Sequence, residues 1–331
     1  MVNLLSIISA VILSFNSFIP ATVQHHVSKV LQKIENNTTT ITFNFMGDCA
    51  LATQYGEKPA YSFNARADVE ETTYFFEKVM PVLEMADFNI ANCEGVFTDE
   101  NLERRYKGYT PAFWFKSETK NAKIFADNGI DLVSIANNHI YDFNAQGRLD
   151  TIEALEENGV MWTDDYTPAI LEKDGVKIAV FGVTLWRWDI NQLEEELGAA
   201  EEYSDIQIVF FHGGTEKVHT PDASTVVLAH NFVDWGADLV IGGHAHVLQP
   251  IEEYKGVTIA YSMGNFVYGG NLYPENRTMI YQHTFKVCNG HILYDNGTAF
   301  PCYIYTNGIN EFQPSLMAGE DKQKTLEFLY D

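Results

Sequence analysis

Short apolar, β-prone runs recur from residue 41 onward, and stretches of helical periodicity separate them. Residues 41–46 alternate and predict a first strand that ends at Gly47-Asp48. Residues 72–85 carry Phe75, Phe76, Val79, Val82 and Leu83 at helical spacing, with Pro81 as a kink. A second strand is predicted over 87–91, running into Asn92-Cys93-Glu94-Gly95, and a third over 131–135, running into Ala136-Asn137-Asn138-His139. Between them lie an irregular aromatic-rich excursion, 101–115, and a helix over 120–128 closed by Gly129, which suits a C′ position. A helix over 145–158, strands over 176–183 and 206–211, and a helix over 224–235 continue the alternation. Strand 206–211 stops at His212-Gly213-Gly214.

The run Leu239-Val240-Ile241-Gly242-Gly243-His244-Ala245-His246 then reads as a buried strand with a sharp exit. Its glycines permit φ > 0, and in an extended segment His244 and His246 point the same way. A strand over 257–262 ends at Met263-Gly264-Asn265-Phe266. Beyond Asn276 the pattern becomes a hairpin, 278–288 and 291–294 about Asn289-Gly290, and 320–331 reads as a short polar helix or tail.

Strands alternating with helices predict an α/β protein. The N-terminal 12-residue apolar run, 4–15, suits a signal peptide or membrane anchor over 1–22, although the first lysine is Lys29. That places the protein outside the cell, secreted or anchored at the extracellular face. Residues 23–40 read as a linker, 41–275 as the main domain, and 276–331 as hairpins and a tail that complete it.

Net charge is −24 and the sequence pI is near 4.6, which excludes passive binding to nucleic acid. The four cysteines lack a CxxC spacing, so a zinc ribbon is excluded. In an exported chain Cys288 and Cys302 are a candidate disulfide. Asn-x-Thr sequons stand at Asn36, Asn37, Asn276 and Asn296 and matter only in a eukaryotic secretory pathway.

Five predicted strands end in residues able to bind metal: Asp48, Glu94, Asn138, His212, and His244 with His246. Three oxygen donors and three imidazoles suit Mn, Zn or Fe better than Ca²⁺ or Mg²⁺. Six ligands exceed one tetrahedral site, and Glu94 can bridge two divalent cations about 3.5–4 Å apart. Singly, each residue has a plainer use as a cap, turn former or buried hydrogen-bonding group. Their joint placement points to a shared centre.

Gly47-Asp48, Asn92-x-Glu94, Asn137-Asn138-His139, His212-Gly213, Gly243-His244-Ala245-His246 and Tyr261-Ser262-x-Gly264-Asn265-Phe266 occur in that order. Together they resemble the bacterial capsule-synthesis CapA family, the poly-γ-glutamate branch of the calcineurin-like metallophosphoesterase superfamily. The resemblance covers roughly 41–270 and implies a β-sandwich flanked by helices, with metals at the strand C-termini. It implies Asp48, Glu94 and His246 on one ion, and Glu94, Asn138, His212 and His244 on the other. His139 becomes the catalytic histidine that protonates a leaving group or touches phosphate, oriented by Asp142. Glu216 and Asn265 become substrate-binding residues of the cleft wall. The implied activity is a phosphoesterase with metal-bound hydroxide as nucleophile, linked to capsule or poly-γ-glutamate synthesis.

The alternatives are a non-catalytic surface protein that aids polymerisation, export or anchoring, and hydrolysis of the polymer's amide bonds. Partners on these readings are an anionic polymer or phosphoester substrate and membrane-bound synthesis or export machinery. One departure stands out: the superfamily's first motif is Asp-x-His, whereas Asp48-Cys49-Ala50 ends in alanine. Its second motif usually carries Asp where Glu94 stands. Cys49 is a substitute ligand only if it faces the site, and it can instead pair with Cys93 if their strands are neighbours.

Overall fold

The computed structural model describes residues 29, 34, 37–56, 62–269, 275–306 and 310–331. The apolar run at 4–15 lies outside them. Among the described residues no helix is long and apolar enough to cross a membrane.

Among the described residues, two large sheets and one small one form an α/β fold. The seven-stranded sheet contains β1 (Thr38–Cys49), β3 (Phe88–Cys93), β6 (Leu132–Ser134), β7 (Met161–Thr163), β14 (Arg277–Cys288), β15 (His291–Tyr303) and β16 (Ser315–Leu316). Its order is β16-β15-β14-β1-β3-β6-β7, parallel from β1 to β7 and antiparallel on the other side. The six-stranded sheet contains β8 (Ala169–Lys173), β9 (Val176–Thr184), β10 (Ile206–His212), β11 (Leu239–Gly243), β12 (Ile251–Tyr254) and β13 (Val257–Ala260). Its order is β12-β13-β11-β10-β9-β8, with β9, β10, β11 and β13 parallel. The third sheet is β2 (Thr53–Gln54), β4 (Val96–Phe97) and β5 (Phe115–Ser117).

Period-two alternation explains how the large sheets stack. Ile41, Phe43 and Phe45 of β1 pack in one core with Ile206, Ile208 and Phe210 of β10 and Ile178 and Val180 of β9. The opposite face of the first sheet packs under α1 (Phe63–Ala67), α2 (Met80–Leu83), α3 (Lys123–Asp127) and α4 (Asn144–Glu157). The opposite face of the second packs under α5 (Leu193–Ala200) and α6 (Ala223–Asp234). The result is the helix-flanked β-sandwich expected above. A final helix, α7 (Gly319–Tyr330), contributes Leu329 to the inter-sheet core.

Four aspartates stand just before parallel strands, and each clamps the start of its neighbour. Asp87 accepts from Thr42 N (2.8 Å), Asp131 from Asn89 N (2.7 Å), Asp205 from Lys177 N (2.8 Å) and Asp238 from Gln207 N (2.8 Å).

Several expectations change. The single helix over 72–85 is a 3₁₀ turn, Thr72–Phe76, followed by α2; Pro81 sits in its first turn, where a missing N–H costs nothing. Neither expected disulfide is present: all four cysteines are free. Cys288 lies opposite His291 and Cys302 opposite Thr278, at opposite ends of the β14–β15 hairpin, so they cannot meet. Cys49 and Cys93 are register partners on β1 and β3, as reduced thiols in the core under the helices.

Candidate metal centre

The site forms at the C-terminal ends of the parallel strands, where both sheets open toward the same side. Asp48 reaches it through a bulge: Phe45 pairs with Ile90, but Asp48 pairs with Asn92, so β1 carries one extra residue. Such a bulge re-aims the following side chain. Asp48 thereby shares a face with Asn92, while Cys49 turns into the helix-side core. Burial pushes the Cys49 thiol up to about 12, so it offers no thiolate to replace the histidine absent at Ala50. Gly47 makes the bulge feasible, because a Cβ there would stand 1.8 Å from Gly264 O.

The exit of β11 differs from the extended segment expected. His244 and His246 both take left-handed backbone, φ 86° and 56°, whereas Gly242 and Gly243 do not. The glycines serve close approach instead: a Cβ on Gly242 would lie 2.2 Å from Tyr261 O, and on Gly243 2.8 Å from Asp48 Oδ1. The imidazoles converge across a bend, with centroids 5.9 Å apart. Non-glycine residues in left-handed backbone cost about 1–3 kcal/mol each and cluster at functional sites.

All six expected ligands meet. Asn138 Oδ1 lies 2.9 Å from His212 Nε2, which lies 3.1 Å from His244 Nδ1. Ligand atoms about 2.1 Å from one cation stand roughly 3.0–3.4 Å apart, so this trio has near-coordination spacing. Asp48, Glu94 and His246 form a second buried group, with His246 Nδ1 3.3 Å from Asp48 Oδ2 and His246 Nε2 3.8 Å from Glu94 Oε1. Glu94 Oε1 is also 3.9 Å from His212 Nε2, so Glu94 stands between the groups.

Electrostatics fit a cation. Glu94 is fully buried, and neither carboxylate oxygen has a hydrogen-bond partner. Burial, then the charge of Asp48, pushes its carboxyl well above the usual range. Burial opposes ionisation of Asp48, but the hydrogen bond and positive charge of His246, with a hydrogen bond from Asn92, hold its carboxyl well below that range. Burial and then His244 push His212 far down, and burial with His246 brings His244 to about 4, leaving both neutral lone pairs for a metal. His246 moves up to about 9: burial opposes this, but Glu94 and Asp48 outweigh it. Its positive charge offsets the same carboxylates that a metal ion would neutralise.

His139 Nδ1 donates to Asp142 Oδ2 (2.8 Å) and its Nε2 faces Glu94 Oε1 (3.7 Å), the orientation expected for it. Asn137 sets that loop, accepting from His139 N and Ile140 N while donating to Cys93 O. Glu216 stands at the rim, half exposed, 4.0 Å from His244 Nε2. Asn265 is a correction: it is wholly buried rather than a cleft wall, and its Oδ1 accepts from His246 Nδ1 at 2.7 Å. It fixes the His246 ring, the role a carbonyl partner plays for a metal-binding imidazole.

Sequence reasoning missed three neighbours. Lys107 pairs with Asp142 (2.5 Å) from the excursion, Tyr268 packs 5.1 Å from His246, and Trp186 packs against His212 and His244. Only the aromatic and basic density of 101–115 hinted at the first.

A family model described as bacterial capsule synthesis protein PGA_cap matches residues 42–269. The PGA biosynthesis protein CapA of Bacillus subtilis (strain 168) is 28% identical over 251 residues, 69% of this chain and 63% of that protein. The capsule biosynthesis protein CapA of Bacillus anthracis is 28% identical over 255 residues, 69% of this chain and 60% of that one. The matched region thus spans about three-fifths of these relatives' length. A crystal structure of a hypothetical protein from Thermus thermophilus aligns with TM-score 0.49 and 16% identity, covering 79% of this chain and 99% of that one. Since the matched region holds every residue gathered at the strand ends, from Asp48 to Asn265, the chain belongs to the bacterial capsule synthesis protein PGA_cap family.

Proposed function

We propose that this protein is a metal-dependent phosphoesterase-type hydrolase acting in the synthesis of an extracellular anionic polymer of the capsule or poly-γ-glutamate kind. The carrying observation is Glu94: a buried carboxylate with no hydrogen bond to either oxygen, set between Asp48 with His246 and Asn138 with His212 and His244. Leaving such a group uncompensated is costly, and a pair of divalent cations is the compensation its neighbours suit. When bound, cations of the Mn, Zn or Fe kind supply Lewis acidity and lower the pKa of a water molecule beside a phosphoryl oxygen.

The chain's residues do the rest. Asp48 holds negative charge at the floor, Glu94 would join it once a cation is bound, and His246 is fixed by Asn265. Asp142 holds the Nδ1–H of His139, so Nε2 faces the reacting group and can hydrogen-bond a phosphoryl or leaving oxygen. Lys107 neutralises the far oxygen of Asp142 and keeps that carboxylate in register. The capsule role rests on family membership and on the names of the two Bacillus relatives. An extracellular location is part of the proposal, supported by the apolar run at 4–15.

Ala50 favours a second reading, a non-catalytic assembly protein, because its buried methyl group leaves the first group one imidazole short. A phosphomonoester and phosphodiester panel, assayed with Mn²⁺ or Zn²⁺ and with chelator, separates the two. Hydrolysis that chelator abolishes and Glu94→Gln eliminates supports the enzyme. Stoichiometric metal without turnover on any ester supports assembly.

A further inference from the structure

Trp186 and Trp188 are 50% and 85% exposed on the bend that follows β9, and Trp186 packs against His212 and His244 at the metal centre. The support here is rigid. Arg187, between them, turns inward with its side chain 1% exposed, and bonds Asp189 (2.6 Å) and Glu196 (2.5 Å). It also donates to Asp165 O and lies 4.6 Å from the ring centroid of Tyr166. Leu185 N donates to His212 O at 3.1 Å, and Leu185 packs so closely over Gly213 that a Cβ there would stand 2.6 Å away. The bend is therefore tied to the strand that carries His212. Trp186 meets the imidazoles edge-on, its centroid 5.4 Å from His244 and 6.0 Å from His212, and leaves part of the indole open.

We propose that Trp186 is a stacking platform for a hexopyranose ring bonded directly to the phosphate held at the metal centre, so that the substrate class is a sugar 1-phosphate ester. This rests on the metal-centre reading above. The indole touches the two histidines themselves, so a ring lying on it is one bond from a group those histidines surround. A nucleobase is set off from its phosphate by a whole ribose, and a linear polyglutamate offers no ring to stack. Glu216, half exposed beside His244, supplies a carboxylate acceptor for ring hydroxyls on the open flank. Stacking is tolerant of substituents and is held by area, which a preorganised indole supplies at little entropic cost.

Calorimetric titration of the Mn²⁺-loaded protein tests this with four probes: inorganic phosphate, and non-hydrolysable methylenephosphonate analogues of glucose 1-phosphate, glycerol 3-phosphate and adenosine 5′-monophosphate. The glucose analogue is expected to bind about tenfold more tightly than the glycerol analogue, the size of one ring stacked on one aromatic side chain. Trp186→Ala removes that factor while metal content and phosphate affinity hold, and Trp186→Phe keeps most of it. Equal affinity for the two analogues, or tighter binding of the adenosine analogue, overturns the platform. So does a Trp186→Ala variant that loses phosphate affinity as well, because the indole then only shields the histidines. Failure of inorganic phosphate itself to bind sinks the metal-centre reading, and the platform with it.

Discussion

At the N-terminal ends of the parallel strands, Asp87, Asp131, Asp205 and Asp238 each receive a backbone N–H from the neighbouring strand. At the C-terminal ends, Glu94 is buried among strands and receives no hydrogen bond. The same residue chemistry on the same sheets is satisfied at one end and left open at the other. The N-terminal end spends its carboxylates on stability. The C-terminal end adds two left-handed histidines and an exposed indole, all of which cost stability. On the proposed function a cation would make that second arrangement favourable, and the asymmetry is what singles out this end of the sheets.

The sharpest way to break the comparison is Glu94→Gln. Metal affinity should fall by more than about 100-fold, since even groups that only orient ligands contribute roughly 10–100-fold. The metal-free variant should be more stable than the metal-free parent at neutral pH, read as a higher denaturant midpoint. The sign follows from the raised folded pKa of Glu94: its ionisation in the unfolded chain drains stability as pH rises, and glutamine cannot ionise. A destabilised metal-free variant would contradict the account.

Asn265→Ala comes next. Freed from its acceptor, His246 should bind metal about 10–100-fold more weakly, with the fold intact by circular dichroism. The opposite end should respond in the opposite way. Asp131→Ala should lower stability by about 1–3 kcal/mol and leave metal affinity unchanged.

Smallest is a pH effect at Asp238, whose carboxyl burial raises to about 6. Between about pH 4 and 6 the unfolded chain ionises this group while the folded chain keeps its proton, so stability falls as pH rises. Asp238→Asn should remove that slope, on the order of 2 kcal/mol across the window in urea titrations. An unchanged slope would remove Asp238 from the comparison.

Much of this could be read from the chain because strand ends are written in its pattern. Those apolar runs stop at polar residues, and the stops supplied the six residues that gather at the strand ends. Three things were hidden. The sequence 72–85 has helical spacing, but Pro81 starts a new turn rather than bending an old one. The β8 strand and α5 lie in charged segments, 169–173 and 193–200, whose polar outer faces mask their periodicity. His244 and His246 converge through left-handed backbone that tertiary contacts impose, at residues whose own preference is otherwise. Lys107 and Trp186 reach the site from loops remote in sequence; the composition of 101–115 hints at the first, and no local pattern marks the second. Cys49 and Cys93 do adjoin, as their strand positions suggested, but adjacency in register did not make a bond.

The most direct test of a cation-built C-terminal end is elemental analysis of protein purified without chelator and equilibrated with Mn²⁺, beside Glu94→Gln shown to be folded. The account predicts about two equivalents in the parent and far less than one in the variant. A parent that retains no divalent metal, or a variant that retains the parent's content, would contradict it.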